Sequence, residues 1–235
     1  MRRDRLEQVR QMMARNDLFR HLGDELLDQL VGKVRVTRYR PNQSIFLKGE
    51  PGTTLQAVLT GRVKISNVSA DGKEVVLNII DPGEFFGEIA LLDGKDRTAN
   101  ATALEDTELL CLHRSDFMNF LQTHPGWAVH VIETLCCRVR LASEMVEDSA
   151  FLTLPIRLAK RLMWLAESYG AEVGGGIRID LKLTQRELGG LVGLSRENIN
   201  RQLKAWQKDG MVDLAGGFIT ITDMGAMEDL AEYYS

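Results

Sequence analysis

Thr184-Gln185-Arg186-Glu187-Leu188-Gly189-Gly190-Leu191-Val192-Gly193-Leu194-Ser195-Arg196-Glu197-Asn198-Ile199-Asn200-Arg201-Gln202-Leu203-Lys204 contains two helix starts in close succession. Thr184 and Glu187 spell a capping box: the threonine hydroxyl accepts from the third helical N–H and the glutamate returns to the cap's own N–H. That helix stops at Gly193, and Ser195 caps a second helix whose Ile199, Leu203 and Trp206 fall on one face. Two short helices joined by a tight turn containing glycine describe a helix-turn-helix. With the apolar face inward, Arg196, Glu197, Asn200, Arg201 and Lys204 point outward. These side-chain types meet base edges: Arg pairs with guanine, Asn with adenine, and Glu accepts from cytosine. The alternative is a solvated face laced by pairs such as Glu197 with Arg201. Between Lys182 and Lys208 the basic residues Lys182, Arg186, Arg196, Arg201, Lys204 and Lys208 face only Glu187 and Glu197. The basic footprint is therefore local, in a chain whose formal net charge is -4.

Working outward, Gly216-Gly217 between Val212-Asp213-Leu214 and Phe218-Ile219-Thr220-Ile221 predicts a hairpin, the wing of a winged helix-turn-helix. Upstream, Ile156 to Tyr169 reads as a helix behind Pro155, Gly174-Gly175-Gly176 as a loop, and Ile177 to Leu181 as a short strand. From Pro125 to Ser149 the apolar period changes. Ala128, Ile132, Leu135, Val139, Ala142, Val146 and Ser149 step alternately by four and three, a heptad seam. The helix bearing it must meet its twin in a homodimer or lie on its own domain; the small residues Ala142 and Ser149 favour the dimer. From Val34 to Leu112 short alternating runs are punctuated by Pro51-Gly52, Thr60-Gly61, Asp71-Gly72, Pro82-Gly83 and Asp93-Gly94. This is the pattern of a barrel or jelly roll, with Asp71-Gly72 as a two-residue hairpin turn having both central residues at positive φ.

Composition excludes several classes. With 44% hydrophobic and 26% charged residues, a sizeable core is available. No apolar run approaches the ~20 residues that span a bilayer, and residues 1–20 lack a signal-like apolar core, so a cytoplasmic protein away from membranes is expected. Three cysteines, Cys111, Cys136 and Cys137, are too few for a disulfide framework or a four-thiolate site, and ordinary thiols are expected. His113, His124 and His130 show no paired metal or haem spacing, and no nucleophile–base arrangement is visible. Neither an enzyme nor a required cofactor is expected.

The remaining informative run is Phe86-Gly87-Glu88-Ile89-Ala90-Leu91-Leu92, followed shortly by Arg97-Thr98-Ala99. Gly87 admits close backbone approach, and a short helix from Glu88 through Ile89 and Ala90 presents free N–H groups suited to a phosphate. Arg97 can neutralise that phosphate with two parallel hydrogen bonds, and the Thr98 hydroxyl can add another. Glu88 either accepts from a sugar hydroxyl or pairs with Arg97 or Arg138.

FGEIALL…RTA resembles the phosphate-binding cassette of cyclic-nucleotide-binding domains. TQRELGGLVGL with SRENINRQLK resembles the helix-turn-helix of the cyclic AMP receptor protein/fumarate-nitrate reductase (CRP/FNR) family. The likeness runs from about Leu18 to Ile221. It implies an α+β chain: an N-terminal helix plus a cyclic-nucleotide-binding β jelly roll (1–124), a long dimerisation helix and hinge (125–150), and a C-terminal winged helix-turn-helix (151–235). It also implies Gly87 and Glu88 at a ribose, Arg97 and Thr98 at the phosphate, and the base against the long helix at Ala142 and Ser143, with Ile89, Ala90 and Arg138 completing the site. Arg196, Glu197 and Arg201 are then expected at bases, joined at the DNA by Thr184, Gln185, Ser195, Asn200 and Lys204. The expected effector is cAMP or cGMP, the expected partner a palindromic duplex, and RNA polymerase a further one if the protein activates. The iron-sulfur branch is excluded, because no cysteine precedes Cys111. Two departures stand out: Ala142-Ser143 replaces the Thr-Ser pair that meets adenine in the cyclic-AMP-responsive prototype, and Asn200 replaces a glycine. Losing that threonine costs about 1 kcal/mol per buried hydrogen bond, which leaves open the base identity and the alternative of a vestigial pocket on a ligand-independent regulator.

Overall fold

The computed structural model describes residues 22–232 and, ahead of them, residues 7, 9–11, 13, 14 and 19. The chain packs as two compact units, Met1–Asn67 with Leu77–Arg140, and Val68–Val76 with Leu141–Ser235.

The first unit opens with α1 (Asp24–Val31), followed by β1 (Arg35–Tyr39), β2 (Ser44–Phe46), β3 (Thr54–Thr60), β4 (Val63–Val68), β5 (Glu74–Ile80) and β6 (Phe85–Phe86). Next come α2 (Glu88–Asp93), β7 (Asn100–Ala103), β8 (Thr107–His113), α3 (Arg114–Thr123) and α4 (Pro125–Phe151). Two antiparallel four-stranded sheets, β1-β8-β3-β6 and β2-β7-β4-β5, make the expected jelly roll. Alternation along the strands sorts the side chains. Val58, Phe86 and Leu109 from one sheet meet Val63, Ile80 and Ala101 from the other. Leu55 and Ala57, on the opposite face of β3, pack instead with α1, α3 and α4 through Leu27, Leu30, Phe117, Phe120 and Trp127. The β4–β5 hairpin departs from the expected two-residue turn. Ser69 and Lys73 close a three-residue loop (Ser69 N to Lys73 O, 2.9 Å) in which Gly72 is left-handed at φ 80 and Asp71 is not. Only one residue of such a loop needs positive φ, so glycine is required once.

α4 resolves the two readings of the apolar seam by dividing them. Trp127 stands edge-on to Phe117 (5.4 Å) and Phe120 (4.7 Å) and stacks on Phe19 (5.9 Å). Val131 is buried with them and Leu135 is half-buried against the same core. Leu135, expected in an open seam, thus belongs to its own unit, because the buried row on this helix runs through Trp127, Val131 and Leu135. Ile132, Val139 and Val146 stay 56%, 66% and 69% exposed at seven-residue intervals.

The second unit contains α5 (Leu154–Tyr169), β9 (Gly170–Val173), β10 (Gly176–Ile179), α6 (Gln185–Val192), α7 (Arg196–Lys208), β11 (Val212–Ala215), β12 (Phe218–Ile221) and α8 (Met224–Glu232). Its sheet runs β11-β12-β10-β9. The strand expected over 177–181 ends at Ile179 and pairs with β9, which the pattern did not mark. The wing turns on Gly216 and Gly217, both at positive φ, with Ala215 opposite Phe218. Trp127→Ala is expected to remove about 3–5 kcal/mol of stability by emptying the ring cluster, read as a lowered denaturation midpoint.

Candidate functional site

Two sites follow from this framework, one in each unit. In the roll, the chain leaves β6 and reverses at Gly87, which is left-handed at φ 83 and starts α2. A Cβ there would lie 2.5 Å from Arg97 Nη1 and 3.0 Å from Gln56 Oε1, so the conformation favours glycine and any side chain would displace these two side-chain ends. Glu88, 1% exposed, is held by Arg138 of α4, Nη1 to Oε1 at 2.5 Å. Arg138 Nη2 also donates to the Phe85 carbonyl, and its guanidinium sits 5.3 Å from the Phe85 ring centre. Of the two ion-pair partners weighed for Glu88, Arg138 is the one in direct contact.

Arg97, 5% exposed, lies over the Phe46 ring at 4.1 Å. Its Nη1 donates to Gly87 O (2.8 Å), its Nη2 to Thr54 O (2.7 Å) and Thr54 Oγ1 (3.3 Å), and its Nε has no acceptor among the described residues. Burial pulls its pKa down from the ordinary guanidinium value, opposed by the charges of Glu88 and Glu50. The two parallel hydrogen bonds expected toward a phosphate are here made to backbone carbonyls. Two carbonyls face the guanidinium where the sequence offered no clue to an acceptor. Thr98 and Ile89 are exposed, whereas Ala90 is buried beside Gly52, where a Cβ would come within 2.2 Å of Ala90 Cβ. Ala142 and Ser143 are exposed, further along α4 than Arg138.

Sequence reading missed Gln56 and Thr54. Gln56 is 5% exposed, its Nε2 donates to Thr54 Oγ1 (3.1 Å), and its Oε1 has no donor among the described residues. The signal was present: one amide interrupts the apolar run Leu55-Gln56-Ala57-Val58-Leu59. Cys111 lies opposite Gln56 on β8, and burial pushes its thiol up from the ordinary value. Cys136 and Cys137 are free and exposed.

In the second unit both caps form as read. Glu187 N donates to Thr184 Oγ1 (3.2 Å), Thr184 N to Glu187 Oε2 (2.8 Å), and Asn198 N to Ser195 Oγ (3.3 Å). Gly193, left-handed at φ 68, ends α6 and turns the chain into α7. Ile199, Leu203 and Trp206 are buried, leaving Arg196, Glu197, Arg201 and Lys204 exposed with Thr184 and Ser195. Glu197's own backbone N–H and the Ser195 hydroxyl hold its carboxyl below the usual range. Gln185 and Asn200 are half-buried and bonded to each other, Nε2 to Oδ1 at 3.2 Å.

Comparison with known proteins agrees with both units. Residues 36–124 match the cyclic nucleotide-binding domain, and residues 156–230 the Crp-like helix-turn-helix domain. The chain is 30% identical over 213 residues to the "CRP-like cAMP-activated global transcriptional regulator" of Mycobacterium tuberculosis, covering 91% of this chain and 95% of that one. The chain belongs to the CRP/FNR family. The "Cyclic AMP receptor protein" of Thermus thermophilus is 31% identical over 219 residues, covering 93% of this chain and 98% of that protein. Among solved structures, the c-di-GMP responsive global regulator CLP of Xanthomonas campestris superposes with a TM-score of 0.77 at 25% identity, covering 86% of this chain and all of that one. As a CRP/FNR member, the protein is a DNA-binding transcription regulator with a cyclic nucleotide-binding domain. No described helix is long and apolar enough to cross a membrane.

Because Glu88 is enclosed, removing Arg138 takes away its directly contacting cation and leaves only the field of Arg97 to compensate it. Arg138→Met is expected to cost about 3 kcal/mol or more at neutral pH. Glu88→Gln in the same chain should recover most of that loss in chemical denaturation.

Proposed function

We propose that the protein is a homodimeric, sequence-specific regulator whose grip on DNA is set by a cyclic nucleotide held in the jelly roll. The observation that carries this reading is the burial of Glu88 and Arg97 at 1% and 5% exposure around one left-handed glycine. Enclosing charged groups costs free energy and is a mark of a functional site. A ribose hydroxyl for Glu88 and a phosphodiester for Arg97 and Thr98 suit these groups chemically. Gly87, Ile89 and Ala90 supply backbone at the turn. cAMP and cGMP are the first candidates, and cyclic di-GMP joins them through the likeness to the Xanthomonas regulator.

The dimer rests on Ile132 and Val146, large apolar side chains exposed on one stripe of a helix of 27 residues. In such a dimer α7 presents Arg196, Glu197, Asn200, Arg201 and Lys204 to base edges, while Thr184, Gln185 and Ser195 meet phosphates at the two helix starts. The covalent route from the pocket to α7 runs through α4, which carries Arg138, and the turn at Leu152–Thr153. A second reading, a vestigial pocket on a ligand-independent regulator, is favoured by one observation: both terminal nitrogens of Arg97 already donate to Gly87 and Thr54.

Binding of the full chain to a palindromic fragment, measured with and without cAMP, cGMP and cyclic di-GMP, separates the two. Gating predicts a change of roughly 5–150-fold in DNA affinity and an equal, reciprocal change in nucleotide affinity on adding DNA. Nucleotide binding that leaves DNA affinity unchanged supports the vestigial pocket. Arg97→Ala should weaken nucleotide binding about tenfold or more without altering assembly. Ile132→Asp with Val146→Asp should halve the sedimenting mass, because carboxylates would meet across the seam.

A further inference from the structure

Gln56 is the one polar side chain on the inner face of β3 that sits below a tenth exposed, and its Oε1 has no donor among the described residues. Thr54 Oγ1 stands between Gln56 Nε2 at 3.1 Å and Arg97 Nη2 at 3.3 Å. With both donating to it, the threonine hydroxyl serves only as acceptor of these two bonds, and the Gln56 oxygen has no donor among the described residues. A half-turn of the carboxamide resolves both at once, since the two ends of an amide differ only in which atom is donor. Thr54 then accepts from Arg97 and donates to Gln56 Oε1. The Gln56 –NH2 is brought to the face of Gly87, where a Cβ would lie 3.0 Å from the outer amide atom and 2.5 Å from Arg97 Nη1. Arg97 Nε, also buried and without an acceptor among the described residues, adds a further donor to the same cluster. With the amide so turned, its –NH2 stands beside the Arg97 guanidinium, and buried N–H groups next to a cation are chemically matched to an oxyanion.

We propose that Gln56 is a phosphate-recognition residue of the roll, its side-chain N–H donating to a phosphodiester oxygen of the nucleotide beside Arg97. This rests on the reading of the roll as a nucleotide receptor and adds to it a residue on β3, away from the Gly87–Thr98 segment. The geometry also gives Thr54 a role: it sets which end of the Gln56 amide faces the ligand.

The test uses the full-length protein, calorimetry, and cAMP, cGMP and the Rp and Sp phosphorothioates of each. Gln56→Met keeps the length of the side chain and removes the donor; Gln56→Glu keeps its shape and substitutes an anion. With the better-bound nucleotide, Gln56→Met should weaken binding about tenfold, and Gln56→Glu more. The decisive readout is coupling. Sulfur in place of the oxygen that Gln56 contacts should weaken binding to the wild type, and that penalty should shrink for one diastereomer alone in Gln56→Met. A purely structural Gln56 would lower the melting temperature and leave both sulfur penalties intact, which overturns the proposal, as does wild-type affinity in Gln56→Met. If none of cAMP, cGMP and cyclic di-GMP binds the wild type, the receptor reading itself fails and the role of Gln56 falls with it.

Discussion

Enclosing a carboxylate is costly without a cation beside it, and Glu88, with 1% of its surface exposed, has Arg138 at 2.5 Å. This ion pair joins the turn at Gly87 to the long helix, because Arg138 also donates to the Phe85 carbonyl at the end of β6. Replacing such a pair with apolar side chains is often neutral for stability, so its presence here is better explained by the site than by the fold. It fixes where the first turn of α2 stands relative to α4.

The same helix has two apolar edges with different destinations. Trp127, Val131 and Leu135 face the roll's own core, whereas Ile132, Val139 and Val146 remain exposed. A helix that spent all its apolar surface on its own unit would gain stability and lose its exposed stripe. One that spent none would leave Phe117 and Phe120 uncovered. The division between the two edges lets α4 be anchored at its start and still offer a stripe further along.

Arg97 and Gln56 show how crowded the polar interior of the roll is. The guanidinium lies over Phe46, bonded to two backbone carbonyls, and Thr54 sits within reach of both side chains. Low local dielectric makes each unpartnered atom there expensive. A nucleotide held as proposed would have to compete with these contacts of Arg97.

The sequence by itself determined the local chemistry. The capping box at Thr184, the stop at Gly193 and the wing at Gly216-Gly217 appear as read, because each depends on atoms a few residues apart. The alternation that marks the roll survives for the same reason, since the period of a strand is fixed by its backbone. Tertiary structure decided what two distant segments do to each other. It chose Arg138 over Arg97 as the close partner of Glu88, gave the Arg97 donors to Gly87 and Thr54, and put Leu135 inside while Val139 stayed out. It also brought Gln56 against Gly87 across thirty residues of chain. Pairings of this kind rest on which strands are neighbours and which helix face meets the sheet, and no local pattern encodes either.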